Sequence, residues 1–187
     1  MDHGRPDPEV SFQGVTTDDL ALLGRWFAAP HVHRWWFQGS SPAEVEADFG
    51  PALRGEEPCE NLLAIVAGRP VGLSQRYRWQ DYPEDVERVG PEVDLPAGAT
   101  SVDYLLGEVA DTGRGLGPRV LAALVADTWL AYPTCPAIVV PVAAGNRPSW
   151  RALEKVGFGR VAVVRMEPDN PVDPPEHVVM RIDRPQR

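Results

Sequence analysis

The sequence lacks most of the features that place a chain quickly. Only two of its 187 residues are cysteines, Cys59 and Cys135, far apart and in no C-x-x-C pattern. That excludes a disulfide framework and a zinc-finger arrangement, and it suits a reducing cytoplasm. No run approaches the roughly 18 apolar residues of a membrane helix, and the opening "MDHGRPDPEV" has no signal-peptide core. Basic charge is scarce, with 18 Lys and Arg against 27 Asp and Glu and a formal net charge of −9. Such a surface repels nucleic-acid phosphates and anionic membranes, so neither is expected as a partner. It favours solubility and would attract a cationic small molecule. Repeats and low-complexity tracts are absent as well.

What is present is ordinary for a globular protein, at 43% apolar and 24% charged residues. The length suits one domain over residues 1–187, with residues 1–8 expected to be flexible. The 20 prolines mostly fall between candidate elements, where they act as stops. "VSFQGV" (10–15) reads as a strand. "TTDDLALLGRWFAAP" reads as a helix capped by Thr16 or Thr17 and ended by Pro30, and "SPAEVEADFGPALRG" as a second helix capped by Ser41. Leu62 to Ala67 and Val71 to Trp79 form a predicted hairpin turning at "GRP". Residues 80–100 have no clear period and read as a long loop.

"SVDYLLGEVA" is the next predicted strand, followed by glycines and then a helix. That helix sets Leu116, Val120, Leu121, Leu124, Val125 and Trp129 on one face. "AIVVPV" is a strand in which Pro141 implies an edge, an end or a bulge. "GNRPSWRALEKVGFGR" is a short helix ending at Gly157, and "VAVVRM" and "HVVMRI" are closing strands. The resulting order, β-α-α-β-β-β-α-β-α-β-β, has one central β-α-β crossover. The fold class expected is therefore α+β with a mixed sheet, and a doubly wound fold is excluded.

"DTGRGLGPRV" (111–120) carries the chemistry. It is not a Walker A loop, because no Lys-Ser or Lys-Thr follows its glycines. It is not a Rossmann fingerprint either: the spacing is G-x-G-x-G, and the next strand ends in "VVPV" without an acid. Free N–H groups at a helix start still suit a pyrophosphate, with Arg114 and Arg119 alongside and Pro118 where its missing N–H is not needed. A tight ligand-free turn would use the same glycines.

The order strand, glycine loop, helix, strand, then "N-R-P-S-W-R-A-L-E-K-V-G-F" resembles the GNAT acetyltransferase superfamily over nearly the whole chain. More narrowly, "HVHRWW", "GRPVGLSQRY", "SVDYLLGEVADTGRGLGPRV" and "ALEKVGF" resemble the aminoglycoside 6′-N-acetyltransferase branch. The resemblance implies a mostly antiparallel central sheet flanked by helices and acetyl-CoA as co-substrate, with no metal. His31 and His33 are too isolated for a metal site. It implies cofactor contacts from Leu106, Thr112, Gly113, Arg114, Gly115, Leu116, Gly117, Pro118, Arg119 and Asn146. Thr112 stands where the family has Gln or Arg, and Asn146 would equally serve as a helix cap.

The amine arrives protonated, so something must take its proton. Asp103 is the candidate, with substrate binding implied at the same position. The family's acid for the departing thiolate is a tyrosine on the short helix; here that position is Leu153, and Tyr104 is the candidate replacement. Relatives carry an acid in the strand after the main helix, where this chain has Pro141. Compensation is expected from the acidic residues of 80–100, Asp81 and Glu84 among them. Trp35, Trp36, Gln75 and Tyr77 resemble a substrate wall. The expected activity is direct acetyl transfer to an aminoglycoside amine by a cytoplasmic monomer or homodimer. The alternatives are transfer to another small amine or siderophore intermediate, and a non-catalytic acyl-CoA-binding module.

Overall fold

A computed structural model describes residues 9–185, so the flexibility expected for residues 1–8 lies outside the described residues. Among the described residues, seven strands form one sheet in the order β1-β2-β3-β4-β5-β7-β6. They are β1 (Val10–Gly14), β2 (Glu60–Val66), β3 (Arg69–Arg78), β4 (Thr100–Leu106), β5 (Ala137–Ala143), β6 (Gly159–Arg165) and β7 (Glu176–Asp183). All neighbours pair antiparallel except β4 and β5, the single crossover, which are parallel.

Among the described residues, six α-helices flank the sheet: α1 (Leu20–Phe27), α2 (Pro30–Trp36), α3 (Pro42–Leu53), α4 (Pro83–Val89), α5 (Leu116–Ala131) and α6 (Arg147–Val156). On one face, α5 and α6 bury Leu121, Leu124 and Leu153 against Val102, Ile138, Val140 and Met180. On the other, α1 to α3 bury Leu23, Trp26, Phe27, Val45 and Phe49 against Leu63, Leu73 and Leu105. Beside them, Val89 of α4 packs with Trp79, Val139 and Val179. Alternate residues of β4 and β5 thus serve opposite faces, as the two-residue strand period requires.

Two helices depart from the sequence expectation. Pro30, read as a stop, is instead the first residue of α2, a position where its missing N–H has no helical partner to lose. Pro83 opens α4 in the same way inside the stretch read as a loop. Both helices span seven residues, too short for a clear periodic signal. The hairpin turns at Ala67 and Gly68, both at positive φ, rather than at "GRP", so Arg69 and Pro70 belong to β3. Ser41 caps α3, accepting from the Glu44 amide as expected. β4 stops at Leu106 instead of continuing to Ala110. A side chain on Gly107 would reach within 2.0 Å of the Trp26 ring.

Candidate active site

The site follows from how β4 and β5 part. The two strands share one bridge, Thr100 with Ile138, and beyond it each runs on without the other. Pro141 lies on this open stretch of β5 and pairs only with Val179 of β7. The absent N–H therefore removes no β4–β5 bond, and an interior strand tolerates proline because it is locally an edge. The split leaves two cavities.

The first, about 410 Å³, lies between the end of β4, the start of α5 and α6, with Trp35 and Trp36 of α2 beside them. Gly113 and Gly115 hold φ values of 70° and 80°, which a side chain disfavours. A Cβ at either would meet nothing within 4 Å, so the space over the turn is open. α5 then begins with no side-chain cap, leaving its first amides and the positive end of its dipole available to an anion. Leu106, Thr112, Gly113, Gly115, Gly117 and Pro118 line this cavity, together with Arg151 and Lys155. The apolar walls suit a pantetheine arm and the cationic mouth suits phosphates, so these residues fit coenzyme A.

Four expected cofactor residues do not line the cavity. Leu116 packs beside Ala64, Val71 and Val120 in the core. Arg114 is exposed, and with Arg69 it helps hold the Asp111 carboxyl below its usual range. Arg119 lies half-buried on the first turn of α5. Asn146 accepts a hydrogen bond from the Ser149 amide, which makes it the cap of α6.

The second cavity, about 440 Å³, opens where β4 and β5 part, bordered by α2, α4, the start of α6 and the β6–β7 connection. Trp35, Trp36, Gln75, Tyr77, Asp103 and Tyr104 line it, as does Pro141. Gln75 is fixed by donating to Asn61 Oδ1 at 2.7 Å. Burial pushes the Asp103 carboxyl up to about 7, with further repulsion from Asp169 and Asp85. Burial also raises Asp169, against the opposing pull of His177 and Arg88. The site is therefore a desolvated acidic chamber whose central carboxyl exchanges its proton near neutrality. Burial pushes the Cys59 thiol up to about 12, leaving almost no thiolate at neutral pH.

Asp81 and Glu84 are not brought here. Both are exposed, and the acid that α4 presents is Asp85, which pairs with Arg88 at 3.2 Å. Residues three apart share a helix face, whereas Glu84 is turned about 100° from Asp85. Sequence reasoning also missed Gln38, Asp169 and His177 in this chamber. Asp169 reaches it on the β6–β7 connection, whose path no local pattern reveals, and His177 on β7, a legible strand whose neighbours in space were not. Arg151 and Lys155 were discoverable, being four residues apart on a legible helix.

Three contacts hold the walls together. Arg34 of α2 makes a bidentate pair with Asp173 at 2.7 and 2.5 Å, and Asn170 donates to the Arg34 carbonyl. His31 Nε2 lies 3.0 Å from the Leu106 carbonyl, tying α2 to the end of β4. Trp35, Trp36, Tyr104 and Ser149 line both cavities and form their junction. Among the described residues, no group of three or more His, Cys, Asp or Glu is placed to hold a metal ion, and no helix is long and apolar enough to cross a membrane.

Comparisons with known proteins agree with this fold. The acetyltransferase (GNAT) domain model matches residues 15–166. An aminoglycoside N(6′)-acetyltransferase type 1 of Klebsiella pneumoniae is 27% identical over 172 residues, which is 87% of this chain and 79% of that protein. The structure of AAC(6′)-Ib with ribostamycin and coenzyme A superposes with a TM-score of 0.78 at 26% identity, covering 94% of each chain. The complex of AAC(6′)-Ib with coenzyme A and kanamycin gives a TM-score of 0.77 at 26% identity, covering 94% of this chain and 95% of that one.

Proposed function

Because the chain belongs to the acetyltransferase (GNAT) domain family, we propose that it transfers acetyl from acetyl-CoA to an aminoglycoside amine, the 6′-amine, while both substrates are bound. The observation that carries this reading is the junction itself. A cavity fitted to coenzyme A meets an acidic chamber fitted to a cationic sugar at Trp35, Trp36, Tyr104 and Ser149.

The division of labour follows from the site. The α5 start, Arg151 and Lys155 bind the phosphates, and an amide near Leu106 donates to the thioester oxygen as it gains negative charge. Asp103 and Asp169 bind the ammonium and Asp103 takes its proton, its affinity for a proton being matched to neutral pH. Trp35 and Trp36 offer flat apolar faces to a sugar ring or cation. The high affinity of the Cys59 thiol for its proton argues for direct transfer rather than an acetyl-cysteine intermediate. The reading places the enzyme in the cytoplasm, as a monomer or homodimer.

The test is to mix the protein with acetyl-CoA and a panel of aminoglycosides and follow free thiol, then locate the acetyl group on the product by NMR. Thiol release tied to 6′-acetylation is the expected result. Coenzyme A binding without turnover on any amine would reduce the protein to a binding module. Turnover only on non-sugar amines would move the substrate class.

A further inference from the structure

Acyl transfer leaves negative charge on the departing sulfur, and a hydrogen bond placed where charge develops is a strong lever on rate. The acetyl group has to cross the junction of the two cavities, so the sulfur it leaves lies at that junction. Of the four junction residues, only Tyr104 and Ser149 carry hydroxyls. We infer that the Tyr104 hydroxyl, oriented by Ser149, donates the hydrogen bond that stabilises the departing sulfur. This inference rests on the acetyl-transfer reading above.

The local geometry is that of a prepared donor. Tyr104 Oη lies 2.6 Å from Ser149 Oγ and 3.1 Å from the Ser149 carbonyl oxygen. A carbonyl has no hydrogen, so the phenol donates to it, which leaves the serine hydroxyl to donate to Oη. A phenol that accepts one hydrogen bond donates another more strongly. Turning its hydrogen from the carbonyl to the sulfur needs only rotation about the C–O bond. One helical turn beyond Ser149, Leu153 is fully buried in the core and offers no polar atom. Burial raises the Tyr104 phenol above its ordinary range, so it keeps its hydrogen while a thiol of pKa about 8.5 departs.

The step balances without a further reactant. The neutral amine's lone pair forms the N–C bond to the acetyl carbon, and the surplus nitrogen proton passes to Asp103. The C–S bond breaks with its electron pair on sulfur, held by the Tyr104 O–H. The proton taken by Asp103 returns through solvent to the sulfur, giving the amide and free coenzyme A thiol. Tyr104 is thus a catalytic residue and Ser149 a positioning residue.

The experiment uses the full chain and compares Tyr104→Phe, Ser149→Ala, Ser149→Thr and the Phe/Ala double variant. Expected are a fall in kcat of about 10²-fold for Tyr104→Phe, the scale of one donor to a developing anion, and about tenfold for Ser149→Ala. The KM for acetyl-CoA should stay within about twofold. Ser149→Thr should restore most of the rate, and the double variant should be no slower than Tyr104→Phe, because the pair acts as one unit. Near-normal kcat in both single variants would overturn the inference alone. So would additive losses accompanied by weakened coenzyme A affinity, the signature of a mere tie between β4 and α6. Absence of turnover by the unsubstituted enzyme on every amine would overturn the acetyl-transfer reading and this inference together.

Discussion

Replacing Asp103 with asparagine should remove activity and strengthen the fold, and the second effect should depend on pH. The carboxyl sits in the chamber with its affinity for protons raised from 3.8 to about 7. Below about pH 4 both folded and unfolded chains hold this proton, and the group exacts no penalty. As pH rises through 4 to 7, the unfolded chain gains by ionising while the folded one does not, so stability falls. Above 7 the penalty is constant. The interval between 3.8 and about 7 corresponds to about 4 kcal/mol at 1.36 kcal/mol per pH unit. That is a ceiling, because the carboxyl borders a cavity open to water, and about 1–2 kcal/mol is the realistic share. At about 2–4 °C per kcal/mol for a domain of this size, Asp103→Asn should melt several degrees higher at pH 8 and show less of that gain at pH 5. Turnover, followed by thiol release, should fall 10²–10⁴-fold, the usual contribution of a positioned base. A melting difference that does not change with pH, or a variant less stable at pH 8, would refute the assignment of a strained carboxyl. Retained turnover would refute Asp103 as the base.

Other perturbations probe the rest of the site. The kcat/KM of the unsubstituted enzyme should rise with pH through about 7 as Asp103 ionises, and a flat profile from pH 5.5 to 8.5 would contradict that. Asp173→Ala should raise the amine KM several-fold with little change in melting temperature, since it frees Arg34 and the tryptophan-bearing α2; an unchanged KM would mean the clamp does not shape the chamber. Leu153→Tyr should destabilise by about 1–3 kcal/mol, the range for overpacking a filled core, because Leu153 has no exposed surface. A stable, faster variant would show that the position opens to the site instead. The KM for a multiply charged amine should climb with ionic strength more than the KM for a monoamine, following the net charge of −9.

Much of this protein was legible in its sequence because the deciding signals are local. Seven strands, the single crossover and the cap at Ser41 follow from period, punctuation and side-chain chemistry within a few residues. So does the glycine turn: Gly113 and Gly115 hold the positive φ that only a side-chain-free residue adopts readily. Asp103 and the tryptophan pair were found through a likeness of motifs, and the fold then placed both at the chamber.

What stayed hidden depended on elements distant in the chain or too short to show a period. α2 and α4 are seven residues each; α2 opens on a proline read as a stop and α4 on one inside a stretch read as a loop. Which acid of the 80–100 stretch faces the chamber depends on the rotation of α4, so Asp85 is there while Asp81 and Glu84 are in solvent. Asp169 enters on the β6–β7 connection and His177 on β7 itself, and the placing of β7 between β5 and β6 decides where both lie. Composition and periodicity determined the sheet, the longer helices α1, α3, α5 and α6, and the glycine turn before α5. Only the packing of distant segments decided which carboxyls meet, because burial and mutual repulsion, the causes of Asp103's altered proton affinity, exist only once those segments are brought together.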